Sequence, residues 1–241
     1  MLAFGLAGWI YSNLKQNVTI VDSLWGLFFL LGVMFYLGDS VSFRAALVVL
    51  LVAVWSLRLS IYLTMRNSDA HEDRRYQQIR RNNEPFWIKS IYIVFGLQAI
   101  LAWIISLPLL GAITSVQEIG VLDLIGVILW SVGFYFEVVG DLQLQRFKQN
   151  PENSGKALST GLWRYTRHPN YFGEFCIWWG YYLIAASAGA WWSFPAPLLM
   201  TFLLLKVSGV VMLERDIVER RPEYAEYISR TNSFFPWFPR H

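Results

Sequence analysis

Gly161-Leu-Trp-Arg-Tyr-Thr-Arg-His-Pro-Asn-Tyr-Phe-Gly-Glu174 stands between two strongly apolar runs and packs two arginines, a histidine, an asparagine and a carboxylate into fourteen residues. Pro169 fixes its own φ and pushes His168 out of the α region, so the stretch predicts a break from Arg164 to His168 and a helix from about Asn170. Asn170, Tyr171 and Glu174 then fall on its first turn. A helix start offers N–H groups without intrahelical partners and a positive dipole end. With Arg164, Arg167 and His168 beside it, it attracts a phosphate- or carboxylate-bearing ligand. The plainer alternative is a basic juxtamembrane stretch that holds lipid headgroups. Against it stands Glu174, which dips toward the membrane, where a carboxylate without a partner is expensive.

The runs on either side decide the fold class. Of the 241 residues 55% are hydrophobic, 17% aromatic and 15% charged, with a mean hydropathy of +0.38, outside the range of an ordinary soluble domain. Apolar runs long enough to span a bilayer occur at about 19–38, 43–65, 87–112, 119–141, 171–188 and 191–213, with a shorter one at about 1–12. The expectation is an all-α polytopic bundle of about seven transmembrane helices. It forms one membrane domain over 1–241, its cofactor-binding half at about 120–241. Met1 to Ile10 lacks the basic start and small-residue cleavage site of a signal peptide, and the count falls to six if 1–12 does not span. A single cysteine, Cys176, excludes an internal disulfide and a cysteine metal cluster. Three histidines, one of them terminal, argue against a histidine metal site.

The net charge of +3 gives no reason to expect nucleic acid as a partner, but the placement of the charges is informative. Six Lys and Arg residues fall between Arg66 and Lys89, five between Arg146 and Arg167 and five between Arg215 and Arg240; the loops near 113–118 and 188–192 have none. By the positive-inside rule all three basic segments are cytoplasmic, Lys15 fits a cytoplasmic first loop, and the N-terminus lies outside with the C-terminus in the cytoplasm. An anionic cofactor from the cytoplasm would meet all three.

Within the runs, the polar residues mark candidates. Asp22 lies about one turn inside the second run, where an acid either has a partner or caps the helix start. Arg58 sits roughly two turns before the cytoplasmic end of the third, able to snorkel or to bind a phosphate or an intramembrane acid. His71 to Arg81 reads as a short amphipathic surface helix. It is either a solvated face or, through Asp73, Arg74, Arg75 and Tyr76, a contact for adenine and phosphate. Glu137 and Asp141 share a helix face continued by Gln145 and Lys148, while Gly133 and Gly140 permit close helix contact. Such buried carboxylates need donors, for which Arg58, Arg164 and Arg167 or a hydroxyl-bearing ligand are candidates. Lys206, alone in the last run, is expected to face the bundle. The aromatic tail Phe234-Phe-Pro-Trp-Phe-Pro239 reads as an anchor among membrane lipids. The dinucleotide glycine motif, the Walker loop and the zinc-protease and esterase signatures are absent.

Thr166-Arg-His-Pro-Asn-Tyr-Phe-Gly-Glu174, with Trp55-Ser-Leu-Arg58, Glu72-Asp-Arg-Arg-Tyr76 and the Glu214 to Tyr227 tail, resembles the bacterial branch of the steroid 5α-reductase-like membrane enzymes over nearly the whole chain. The His-Pro-x-Tyr-x-Gly core is shared with isoprenylcysteine and phospholipid methyltransferases of the same superfamily, which bind S-adenosylmethionine there. Asn170 and Glu174 are the residues that resemble the reductases. The resemblance implies a bacterial inner-membrane enzyme, its site open to the cytoplasm, which transfers hydride from NADPH to an apolar enone, steroid-like or another lipid. Asn170 and Glu174 match residues near the nicotinamide, Arg58 a phosphate-binding arginine, Asp141 an acidic cofactor contact and Lys148 a frequent arginine. Asp22 matches the catalytic acid by spacing, although no Gln-Glu pair is present and Trp55 stands where a catalytic tyrosine is expected. A protonated Asp22 would polarise the carbonyl. The alternatives are a methyltransferase of a lipid or prenyl substrate and a non-catalytic lipid-binding protein; oligomeric state is left open.

Overall fold

The computed structural model describes residues 1–39, 41–67, 71–207, 209–214 and 217–240, and the side chain of Arg220 is left aside. The described residues are helical with no strand, as the apolar runs predict. Among the described residues four helices are long and apolar enough to cross a membrane, Phe43–Asn67, Phe86–Ile105, Val121–Gln149 and Trp191–Glu219, with Ile20–Tyr36 a shorter apolar helix. These fit an integral membrane protein. The chain divides into two compact units, Met1–Glu118 with Ala188–Ala190, and Ile119–Ser187 with Trp191–His241.

The first unit contains α1 (Leu2–Lys15), α2 (Ile20–Tyr36), α3 (Phe43–Asn67), α4 (Arg74–Arg81), α5 (Phe86–Ile105) and α6 (Leu107–Ile113). Helix α1 has 14 residues, a length of about 21 Å, short of a bilayer core of roughly 30 Å. Helices α2 and α3 touch at Gly26, where a Cβ would lie 2.9 Å from the Ser56 carbonyl oxygen. Trp55 is fully buried against Phe29, ring centroids 5.6 Å apart. The predicted surface helix is α4, capped by Asp73, whose Oδ1 accepts from the Arg75 N–H at 2.9 Å. It is held down by a core of Val18, Val21, Tyr76, Phe86, Val94 and Phe95, so its apolar face is protein-covered.

In the second unit, α7 (Val121–Gln149) and α8 (Pro169–Ser187) pack along their length, followed by α9 (Pro195–Phe202), α10 (Val210–Glu214), α11 (Ile217–Arg220) and α12 (Tyr224–Arg230). A Cβ on Gly133 would lie 2.5 Å from the Gly173 carbonyl oxygen, and one on Gly126 would lie 2.7 Å from that of Gly180. Only glycine allows that approach, the small-residue packing expected of membrane helices. Helix α7 runs past the apolar run's end near 141 to Gln149 and so carries Gln145 and Lys148, as the shared helix face predicts; Gln143, Gln145 and Lys148 favour helix and need no bilayer. Pro169 opens α8 at its first position, as predicted. Lys206 is exposed, contrary to the expectation that it faces the bundle: the π-helical stretch Leu203–Val207 that carries it departs from the α-helical period on which that expectation rested.

Candidate functional site

The loop that leads into α8 is fixed from several directions. Gly161 adopts φ +62° against Gln143, whose Oε1 accepts from the Leu162 N–H at 3.0 Å. The Trp163 indole donates to the Gly140 carbonyl at 3.0 Å, and the Tyr227 hydroxyl donates to the Trp163 carbonyl. The Thr166 hydroxyl donates to the Phe234 carbonyl at 2.8 Å, and the Trp237 N–H donates to that of Tyr165 at 2.9 Å. The tail from Tyr224 onward is therefore the outer wall of this loop.

Arg167 and His168 face that wall. The Arg167 guanidinium grips Glu214 with both arms, Nε to Oε1 at 2.7 Å and Nη2 to Oε2 at 2.8 Å, and donates from Nη1 to the carbonyls of Thr231 and Ile228. His168 Nε2 lies 2.9 Å from Glu214 Oε1, and its ring stacks on Tyr171. Burial opposes the charge on Arg167, but the Glu214 bonds outweigh it and raise its pKa. Two of the three side chains expected to attract a ligand anion, Arg167 and His168, are thus engaged with a carboxylate of the protein. Tyr224, next to them, is pushed up to about 12, chiefly by burial.

Past Pro169 the character changes from cationic to acidic. Asn170 donates from Nδ2 to Asp141 Oδ1 at 3.3 Å and accepts from the Tyr171 N–H at 3.1 Å. Glu174 accepts from the Trp178 indole at 3.0 Å. Glu137, Asp141 and Glu174 are all buried. Arg164 and Lys148 are exposed. The seam of α7 and α8 therefore brings together Glu137, Asp141, Asn170, Tyr171 and Glu174.

A second cluster forms within the first unit. Asp22 accepts from Arg75 Nη2 at 2.9 Å through Oδ2 and from the Tyr76 hydroxyl at 2.6 Å through Oδ1. Arg75 also binds Asp73 at 3.0 Å, and Gln98 Nε2 approaches the Tyr76 oxygen at 3.5 Å. Glu72 accepts from Arg80 at 2.7 and 2.9 Å and from the Val18 N–H at 3.0 Å. Burial opposes ionisation of Glu72 and Asp73, but their bonds to Arg80 and Arg75 prevail and lower both pKa values. Burial, then the Asp22 charge, raise the Tyr76 hydroxyl well above its ordinary value. Asp22 stands in the first turn of α2, where a carboxylate also favours the positive end of the helix dipole, while Thr19 at the N-cap makes no side-chain cap bond. Arg58, half-buried on α3, lies with its guanidinium over the Tyr62 ring at 5.3 Å.

Sequence reasoning quoted Glu214 and Tyr227 only as the ends of a tail and gave them no role, and it passed over Thr231. Their partners lie 47 to 67 positions away, and only an unexplained carboxylate at the end of an apolar run hinted at one of them. It also passed over Trp130 and Tyr181, aromatic residues that read as core.

A family model described as a protein of unknown function, DUF1295, matches residues 8–231, and the chain belongs to that family. An uncharacterized protein of Schizosaccharomyces pombe is 26% identical over 266 aligned positions, covering 95% of this chain and 75% of that protein. A probable O-methyltransferase of Ustilaginoidea virens is 43% identical over 53 residues, 22% of this chain and 18% of that protein. No solved structure matches.

Proposed function

We propose that this chain is a membrane oxidoreductase that transfers hydride from NADPH to the carbon–carbon double bond of an apolar enone. The observation that carries the proposal is the pairing of Asn170 with Asp141 beside buried Glu174 at the start of α8. A nicotinamide carboxamide offers two N–H donors and one acceptor, and an asparagine amide among carboxylates can satisfy all three. Ribose hydroxyls suit Glu137 and Asp141 in the same way. Arg164 and Lys148, exposed at the rim, are the cations suited to the phosphates, with Arg58 a further candidate from the resemblance. Arg167 and His168 act by holding the loop, since both are engaged by Glu214. Tyr171 stacks on His168 and so shapes the entry to α8.

Bound NADPH supplies the hydride, and the chain orients it and excludes water. The reduction also takes up a proton. Asp22, carried from the resemblance as the acid, holds two donors in this geometry, so the proton-bearing group of its cluster is the Tyr76 hydroxyl, with Arg75 and Asp73 fixing the carboxylate. DUF1295 includes steroid 5α-reductase-like membrane proteins, which supports the reductase assignment. The proposal includes seven spans, a cytoplasmic C-terminus and a site opening to the cytoplasm of a bacterium, supported by the basic segments.

A second function, methyl transfer from S-adenosylmethionine to a lipid or prenyl acceptor, is favoured by the likeness to a probable O-methyltransferase and by carboxylates that suit a cationic cofactor. Titration of the detergent-purified protein with each nucleotide separates the two. NADPH should bind, and Asn170→Ala and Glu174→Gln should each weaken it by about 1–3 kcal/mol. Binding of S-adenosylmethionine alone, lost on the same substitutions, moves the assignment to methyl transfer; binding of neither removes both.

A further inference from the structure

Two turns along α8 from Glu174, the seam holds a pair of polar groups that the proposed cofactor contacts do not use. The Tyr181 hydroxyl and the Trp130 indole N–H are both buried, with 1% and 5% of their residues exposed, and neither has a hydrogen-bond partner among the described residues. They are neighbours: the indole N–H lies within reach of the Tyr181 hydroxyl oxygen but outside full hydrogen-bond geometry, so neither group's donor is fully used. Glu174 and Glu137 also act on the Tyr181 hydroxyl. Seven residues of helix place Tyr181 about 10 Å farther along α8 than Glu174. Aromatic faces surround the pair, with Trp130 stacked on Phe134 at 5.0 Å and Tyr181 edge-on to Trp178 at 5.4 Å.

The indole is a donor only, and a phenol donates readily, so what the pair lacks is an acceptor. A buried donor left without one is unfavourable, and a chain that keeps two side by side is suited to an acceptor from outside its own side chains. The charges nearby select its chemistry. Two carboxylates repel a phosphate or carboxylate, and the positive edge of the indole repels a cation, leaving a neutral oxygen. A hydroxyl fits, because its oxygen can accept from both donors. The aromatic surroundings suit a flat apolar body attached to that oxygen.

We infer that Trp130 and Tyr181 form a subsite for a neutral hydroxyl oxygen on a flat apolar molecule. It deepens the proposed function by naming the substrate class, an apolar molecule with a second oxygen apart from its reacting carbonyl, but it stands on the α7 and α8 seam whichever cofactor binds. The test compares 2-naphthol with naphthalene in equilibrium binding to the protein in nanodiscs, corrected for lipid partition. Wild type should prefer the alcohol by about three- to tenfold, the worth of one or two such hydrogen bonds. Tyr181→Phe and Trp130→Phe should each reduce that preference while naphthalene binding stays unchanged. Equal binding of the two probes by wild type, a preference that survives both substitutions, or binding of neither probe overturns the inference. So does a density map in which a water alone bridges the pair in the presence of saturating naphthol. NADPH titration of the same samples reads the cofactor assignment separately, and neither substitution should alter it.

Discussion

Tyr76 and Tyr181 are both buried tyrosines beside carboxylates, in different units of the chain, and their hydroxyls have opposite circumstances. Tyr76 donates to Asp22, whose other oxygen is held by Arg75, so a cation balances the carboxylate and every strong group has a counterpart. Tyr181 lies in reach of two carboxylate charges, and among the described residues no hydrogen bond of full geometry closes on its hydroxyl. The first arrangement draws α2 and α4 together; the second leaves hydrogen-bonding capacity available inside a close-packed helix pair. Two tyrosines of equal burial thus differ in whether the chain itself completes their bonding.

The strongest way to break the comparison lies in the second unit's own satisfied cluster. Arg167→Ala removes a guanidinium that grips Glu214 with two bonds and ties the loop to the carbonyls of Ile228 and Thr231. Glu214 would keep His168 but lose its cation, and breaking a buried pair on one side costs about 3–5 kcal/mol. Thermal unfolding in detergent should show a larger loss for Arg167→Ala than for Tyr76→Phe, Asp22→Asn or Tyr181→Phe. A drop no larger than that of Arg164→Ala, an exposed neighbour, would mean that the loop and tail are not joined through Arg167.

Next in size is Tyr76→Phe, which should cost about 1–3 kcal/mol because Asp22 loses its shortest donor. Asp22→Asn should lose a similar amount, since an amide weakens the ion pair with Arg75. If the cluster also serves the proposed reduction, the Phe variant should slow enone turnover by about 10²-fold or more while NADPH affinity holds. Unchanged turnover with lowered stability would leave Tyr76 as a fastening alone.

The extent to which these contacts can be read from sequence follows from their range. Helices follow from hydropathy and from Pro169, both local signals, and α4 follows from its charge pattern and the Asp73 cap. The Gly133 contact is legible as well, since a small residue on a membrane helix has few other uses. The partners of Arg167 are not, because Glu214 and Thr231 come from chain far removed and no local period links them. Spacing suggests Asp22 as an acid but cannot show Arg75 and Tyr76 converging on it, 53 and 54 positions on. Trp130 and Tyr181 are invisible for another reason: in apolar runs their polar atoms are hidden by the aromatic bulk that carries them.

A smaller effect is expected from pH on the first unit. Glu72 and Asp73 have pKa values lowered by Arg80 and Arg75 against the opposing effect of burial. Groups of this kind stabilise the folded state fully above their unfolded values, near 4.5 and 3.8, and the contribution is lost as pH falls through the lower folded values. Stability should therefore be flat in this respect at neutral pH and fall only below about 4.5. In Glu72→Gln that acid limb should be shallower, and an identical limb in both proteins would show that the Arg80 bond does not form.

The smallest effect, and the sharpest contrast, is expected of Tyr181→Phe in protein without ligand. Removing a hydroxyl usually destabilises because its partner is stranded, which is why Tyr76→Phe should be costly. Tyr181 has no such partner among the described residues, so the phenylalanine keeps the ring contact with Trp178 and removes only a group whose burial is itself unfavourable. The change should lie within about 0.5 kcal/mol of zero or slightly stabilise the fold, the usual range where no named interaction is lost. Adding 2-naphthol should then separate the two proteins, raising the unfolding temperature of wild type more than that of the variant, because only wild type completes its bonding with the probe. A loss as large as that of Tyr76→Phe in the absence of any ligand would show that the Tyr181 hydroxyl already has a partner within the chain, and the two tyrosines would then be the same device built twice.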